Sequence, residues 1–406
     1  MRPLKHISVR GFSMIELMVA MLIGLIGIII IFQVFEVSEG IKRTTTGGGD
    51  AQQNGAVALY VIEHDVRNAG MGFNDTPFAG CNIVGYDSKR AVPDFPPLGE
   101  TMQLVPMLIT AGAAATTPDK LTVFYGSHPL IANATAIAGD MTLATSPVSL
   151  MNPYGFRKGD LILLLEPGSG KNCSIMEVNL MSASQTVNHD ADTPYMTDSG
   201  KAVPAARFNK PGGLGVIYGG TGLANVTRVF NLGNLYEPPP PAAPFLPVHN
   251  TYAIANNSLT VTVLFVATDA PGVPPLTNAV ADNIVHMRAQ YGVDDGVNDG
   301  SVTFSATFVA GDGIVDRFIR TTPPWANVIA VRVTLVARSA LAEKPTRVGG
   351  ACDATTDGTE SPPGPDLRPK WSGGTFDLTA DPDWKCYRYR VFETTIPLRN
   401  WIWRSS

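Results

Sequence analysis

The residue with the clearest chemical consequence in this chain is Glu16. It stands near the start of a segment, running to Phe35, that is otherwise almost entirely apolar, and it follows Gly11 and Phe12 closely. A carboxylate at the centre of a membrane helix costs roughly 2.5–3.5 kcal/mol, so it needs a partner. Cleavage between Gly11 and Phe12 would create one. The new Phe12 amine is cationic and lies about one helical turn before Glu16. The two charges could neutralise each other within one chain or between neighbouring copies of the helix, where the low dielectric strengthens their attraction. The plainer reading is an acid that suits the positive end of a helix dipole, worth about 0.3–1 kcal/mol.

Other groupings of reactive residue types carry less. Asp294-Asp295-Gly296-Val297-Asn298-Asp299-Gly300 places several oxygen ligands in a glycine-rich turn. Asp294, Asp295, Asn298 and Asp299 could together suit a hard cation such as Ca²⁺. The stretch lacks EF-hand spacing and its terminal Glu, and a polar turn is the simpler expectation; no other cofactor is expected. Gly168-Ser169-Gly170-Lys171 has the flavour of a phosphate loop, but Leu165 and Asn172 stand where Gly and Ser or Thr are required. His189-Asp190-Ala191-Asp192 reads as a solvated turn. No HExxH, GxSxG or SxxK pattern occurs. Catalysis is therefore not expected.

The four cysteines are Cys81, Cys173, Cys352 and Cys386. Their spacings fit no zinc template. In an oxidising compartment an even count suggests disulfides, and three pairings are possible. Cys352 with Cys386 is the shortest closure and leaves Cys81 with Cys173; buried free thiols are the alternative.

These residues need elements to hold them. The run from Phe12 to Val37 would be about 39 Å long as a helix, enough to cross a hydrocarbon core of roughly 30 Å. Arg2, Lys5 and Arg10 precede it, which puts the N-terminus in the cytoplasm and the bulk outside. A secretory signal peptide shares the basic start, but no small-x-small site follows the run. A plain signal anchor leaves the Gly-Phe-to-Glu spacing unexplained. With the three leader cations removed, 27 basic and 35 acidic side chains remain, a net charge of −8. That argues against nucleic-acid binding by the bulk domain.

Residues 12–43 are expected to form the first helix. Gly47, Gly48 and Gly49 cost about 1 kcal/mol each against Ala in a helix, so a break is expected over 44–50, with a second helical stretch to Ala69 ended by Gly70. The apolar positions Leu59, Ile62, Val66 and Ala69 follow helical spacing. From 71 to 406 short apolar runs alternate with turns, which predicts a β-rich domain. Strands are expected at 121–125, 161–165, 215–218, 226–230, 259–265, 302–308, 328–336 and 389–398. Residues 280–291 could be helix or strand. Pro238 to Pro241 form a stiff loop.

The pattern Gly11, Phe12, Ser13, Ile15, Glu16, Leu17 resembles the type IV prepilin signal. The resemblance implies a leader over 1–11, cleavage at Gly11–Phe12 by a membrane prepilin peptidase, methylation of the Phe12 amine, and packing of the apolar helix into a pilus. Further patches resemble PilW-type minor pilins. They are Leu59 with Asp65-Val66-Arg67 and Ala69-Gly70; Lys158-Gly159-Asp160 before Cys173; Gln290-Tyr291-Gly292-Val293-Asp294; Val331-Arg332-Val333-Thr334-Leu335; and the ending Arg390 to Asn400. This implies an α+β fold, a transmembrane pilin helix followed by a large, mainly antiparallel periplasmic domain. It implies a non-enzymatic role in priming pilus assembly near the tip, and hence in adhesion, twitching motility or DNA uptake. The implied partners are other minor pilins, the major pilin, the inner membrane and a tip adhesin. A J-type minor pseudopilin of a type II secretion system is the nearest competitor. A membrane-anchored periplasmic enzyme or binding protein is the competitor from another class.

Overall fold

The computed structural model describes residues 13–73, 79–96, 101–128, 134–143, 145–182, 186–213, 223–237, 244–267, 270–273, 275–295, 312–322, 324–346, 349–359 and 364–402. Gly11, Phe12, Asn298, Asp299, Trp403, the proline run and the strands expected at 215–218 and 302–308 lie outside them.

The described chain opens with one helix of 55 residues, α1 (Met14–Asn68). Its start is capped reciprocally: Ser13 Oγ accepts the Ile15 N–H at 3.2 Å, and the Glu16 carboxylate accepts the Ser13 N–H at 3.0 Å. This is the Ser-x-x-Glu capping box, which satisfies two of the amides a helix start leaves open. The membrane-length apolar window in α1 has none of its surface covered by the rest of the protein.

The break expected over 44–50 does not occur: α1 runs straight through the glycine triplet. The reason is tertiary. Gly47 is buried, and a Cβ there would stand 3.1 Å from Cβ of Ser339. About two turns further on, a Cβ on Gly55 would overlap the Phe392 ring, with Cζ at 2.6 Å. The glycines let the helix lie close against a sheet, and this packing outweighs a propensity cost of about 1 kcal/mol each. The hydroxyls of Thr44 and Thr45 return to the carbonyls of Gly40 and Ile41 at 3.1 and 2.8 Å. α1 ends at Asn68, with Gly70 at φ +80°.

The rest is mainly antiparallel sheet. A four-stranded sheet runs in the order Arg317–Ile319, Ile284–Val293, Val328–Arg338, Tyr389–Pro397, antiparallel throughout. A five-stranded antiparallel sheet runs Leu276–Asp282, Ser258–Val263, Val248–Ala255, Lys120–Tyr125, Met107–Thr110. A six-stranded sheet contains Asp160–Leu165, Arg228–Asn234 and the one parallel pairing among its neighbours, Ile83–Tyr86 with Cys173–Glu177. The ambiguous stretch 280–291 is strand on both sides of Asn283, which turns at φ 59°.

The apolar run Asp160–Leu165 is buried on both faces. Leu161, Leu163 and Leu165 enter the main core, and Ile162 and Leu164 enter a second one with Val148, Met176 and Val229. Alternation along a strand explains that split. Ala51, Ala58, Ile62 and Val66 of α1 enter the main core. Full burial of Ile62 and Val66 is worth about 1.5–3 kcal/mol apiece. Cys81 is bonded to Cys173 with Cα atoms 5.9 Å apart, and Cys352 to Cys386 with Cα atoms 4.7 Å apart. The first bridge sits where Ile83 and Cys173 begin the parallel ladder.

Candidate functional site

α1 has two unlike halves. From Met14 to Ile41 its large apolar side chains face outward, among them Leu22, Ile26, Ile30 and Phe35. From Gly47 onward, Gly47, Ala51, Gly55, Ala58, Ile62, Asp65 and Val66 are buried against the β-rich domain. Their spacing of three and four residues draws one stripe along the helix. The stripe meets the strands Val328–Arg338, Tyr389–Pro397 and Leu276–Asp282.

Asp65 is the polar member of that stripe and the point where the helix is tied to the five-stranded sheet. Its Oδ1 accepts the Tyr125 hydroxyl at 3.0 Å, and its Oδ2 accepts the Tyr252 hydroxyl at 2.6 Å and Asn250 Nδ2 at 2.7 Å. His64 Nδ1 lies 3.5 Å from Oδ1 at the rim. Burial, and then the Asp65 charge, push both phenols above their usual range, so both hydroxyls stay protonated and donate. A buried carboxylate with three donors is a satisfied anchor rather than a reactive group.

The end of α1 is closed from the far end of the chain. Asn400, in the short helix α2 (Arg399–Ile402), directs Nδ2 at the carbonyls of Arg67, Asn68 and Ala69, at 3.5, 3.1 and 3.4 Å. The neighbouring Trp401 is buried, and its indole N–H donates to the Trp325 carbonyl at 2.9 Å.

The remaining sequence candidates have structural work. Asp294 and Asp295 close a loop: Asp294 Oδ2 accepts the Gly313 N–H at 2.7 Å, Asn327 Nδ2 donates to the Asp294 carbonyl at 2.7 Å, and the Asp295 N–H donates to Asp316 Oδ2 at 2.8 Å. Among the described residues no group of three His, Cys, Asp or Glu is placed to hold a metal ion. Lys171 pairs with Glu166 at 2.7 Å within its glycine turn, and His189 lies 3.1 Å from the Ser146 carbonyl. Glu16 is placed in the cap of α1, while Gly11 and Phe12 lie outside the described residues.

Ser13, Asp65 and Asn400 belong to the sequence patches that carry the resemblance, but the sequence assigns them no role. Ser13 is legible as the first member of Ser-x-x-Glu. Asp65 is legible as an acid on the face of Ile62 and Ala69, though its donors are not. The contact of Asn400 with the end of α1 has no local signal.

Residues 8–32 match the prokaryotic N-terminal methylation motif. That motif, on a single apolar helix ahead of a mostly antiparallel domain, defines a type IV pilin-like protein, with one helix as its inner-membrane anchor. Residues 251–400 match the family described as Type IV Pilus-assembly protein W. Together the two matches, over residues 8–32 and 251–400, support a PilW-type minor pilin. Its class is that of structural pilus components, processed by a prepilin peptidase and assembled with other pilins. No curated protein and no solved structure matches the chain.

Proposed function

We propose that this chain primes type IV pilus assembly with other minor pilins and is incorporated near the tip, where it supports adhesion, twitching motility or DNA uptake. It does so as a building block rather than a catalyst. The observation that supports the reading is the division of α1. Its first half is a bare apolar rod suited to lipid and then to neighbouring helices. Its second half is clamped by strands that lie within the region matching the PilW family, Leu276–Asp282, Val328–Arg338 and Tyr389–Pro397.

In this proposal the leader 1–11 is cytoplasmic and the β-rich domain periplasmic, where Cys81–Cys173 and Cys352–Cys386 oxidise. The peptidase cuts between Gly11 and Phe12, and the Phe12 amine is methylated. Glu16, whose carboxylate already reaches back to the Ser13 N–H, then pairs with the Phe12 amine of its own or an adjacent subunit as the helix leaves the bilayer. Partners are the other minor pilins, the major pilin and a tip adhesin.

Mass spectrometry of the N-terminus tests the processing: N-methylphenylalanine is expected, and an intact Met1 in peptidase-competent cells refutes it. Gly11→Val should leave precursor. Crosslinking from membranes tests the role. Other minor pilins are the expected products, whereas capture of secretion-system pseudopilins alone would favour a J-type role. Glu16→Ala should leave cleavage intact but reduce incorporation; normal incorporation would reduce Glu16 to a helix-end charge.

A further inference from the structure

We propose that α1 carries a hinge at residues 44–50 and that the loop 339–344 holds it shut, so that the two halves of the helix form one rod only while that loop is docked.

The local chain favours bending. Thr44-Thr45-Thr46-Gly47-Gly48-Gly49 joins three β-branched residues to three glycines, and glycine is the poorest helix former after proline. Packing accounts for Gly47, where an added Cβ would stand 3.1 Å from Cβ of Ser339. It does not account for the next two positions. Around Gly48 and Gly49 a Cβ would find nothing within 4 Å. A methyl group would fit at both, so close approach to the domain is not what they serve. What glycine brings there is backbone freedom. Kinks and hinges in helices arise at such positions.

Support from the domain begins in the same stretch. The first buried residue of α1 is Gly47, and the stripe continues through Ala51 and Gly55. Just before it, Thr44 Oγ1 donates to Glu343 Oε1 at 3.2 Å. Lys344 Nζ lies 3.8 Å from Glu36 Oε1, but that pair is exposed on both sides and adds little. Thr44 and Gly47 therefore meet the loop within one turn of helix, at the hinge itself.

The loop can act as a clamp because it is fastened to the domain. The Ser339 N–H donates to the Arg388 carbonyl at 2.8 Å, and the Arg388 N–H donates to Ser339 Oγ at 3.3 Å. The Glu343 N–H donates to the Cys386 carbonyl at 2.7 Å, and Cys386 is bonded to Cys352. Arg388 Nε donates to Glu343 Oε1 at 2.6 Å, the same oxygen that accepts the Thr44 hydroxyl. Held by the segment 386–388 on one side and seated on Thr44 and Gly47 on the other, the loop removes the freedom that the glycines supply. With the loop undocked, the domain can turn against the apolar half of α1 while Asp65, about five turns further along, keeps its hold.

The test measures distances between spin labels in the full chain, purified in detergent. All four native cysteines are in disulfides, so added cysteines carry the nitroxides. Val37→Cys with Asn278→Cys spans the hinge. Tyr60→Cys with Asn278→Cys spans only the packed half of the helix. All three sites are exposed, and Asn278 lies on the strand Leu276–Asp282. Double electron–electron resonance should give one narrow distance for each pair. Ser339→Leu with Glu343→Ala drives the loop off Gly47 and removes the Thr44 contact; it should broaden the Val37 pair alone. Adding Gly48→Ala and Gly49→Ala should narrow that pair again, because each favours the helical form about fivefold. The proposal is wrong if the Val37 pair is broad in the wild type, stays narrow once the loop is undocked, or stays broad after the alanines are added. If the Tyr60 pair also broadens in the loop variant, the domain itself has been disturbed, and Glu343→Ala alone then decides by the same three outcomes.

Discussion

Replacing Asp65 by alanine should loosen α1 from the domain it carries. Three donors converge on this carboxylate, from Tyr125, Tyr252 and Asn250. A hydrogen bond to a charged group contributes about 1.5–3 kcal/mol net, and a buried donor left without a partner costs about 1–3 kcal/mol. The three are neighbours and cannot be summed at face value, and Asn250 is only partly buried, so the expected loss is about 3–5 kcal/mol. Asp65→Asn should cost nearly as much, because its NH₂ group must point at a donor. Tyr252→Phe removes one bond and leaves the carboxylate two others, so about 1–2 kcal/mol is expected. Chemical denaturation of the full chain in detergent, followed by tryptophan fluorescence, measures all three. The variants should lower the midpoint at constant slope. Limited proteolysis would show whether α1 is freed first. An Asp65→Ala protein within 1 kcal/mol of wild type, or an Asp65→Asn protein equal to it, would falsify the view that this carboxylate fastens the helix.

Asn400→Ala removes the contacts to the last carbonyls of α1 and should cost about 0.5–1.5 kcal/mol, with faster amide exchange near residues 66–73; unchanged exchange there would rule out a capping role. Cys352→Ser with Cys386→Ser should lose roughly 3–4 kcal/mol for a closure spanning 34 residues, and equal stability of wild type under oxidising and reducing conditions would contradict it. Burial, helped by the Arg288 guanidinium, pushes the His286 imidazole down to about 4. The unfolded chain therefore takes up a proton below about pH 6.5 that the folded chain refuses. This contribution is whole above that pH and fades as pH falls toward 4, by about 3 kcal/mol. The loss should be absent in His286→Phe, whose ring can keep the packing on Phe376; a parallel pH profile for the two proteins would sink the assignment.

What the sequence discloses here follows the range of the forces involved. The apolar half of α1 is legible because a bilayer imposes length and composition on a continuous stretch. Strands such as Val328–Arg338 are legible because their runs are apolar and β-branched. The glycine triplet misleads for the opposite reason. Propensity is a property of a few residues, whereas the fit of Gly47 to Ser339 and of Gly55 to Phe392 joins positions hundreds of residues apart. The strand Val248–Ala255 was missed because His249, Asn250 and Thr251 dilute its apolar pattern. The partner set of Asp65 was illegible from any window, since Tyr252 stands 187 positions away. The loop closure by Asp294 and Asp295 is not legible in the sequence, because an oxygen-rich cation loop and a loop-closing turn use the same residue types.

The contact of Asn400 with the end of α1 has a consequence in time. The helix is the first part of the chain to be made, yet the residue that closes its far end comes 332 positions after Asn68. Until that residue is delivered, the last carbonyls of α1 have no cap and the Trp401 slot beneath Trp325 is open. A chain that stops early can carry an intact membrane segment and still present an unclosed helix end. The clasp thus works as a seal of completeness: the end of α1 is closed only on molecules translated to the end of the strand Tyr389–Pro397 and beyond.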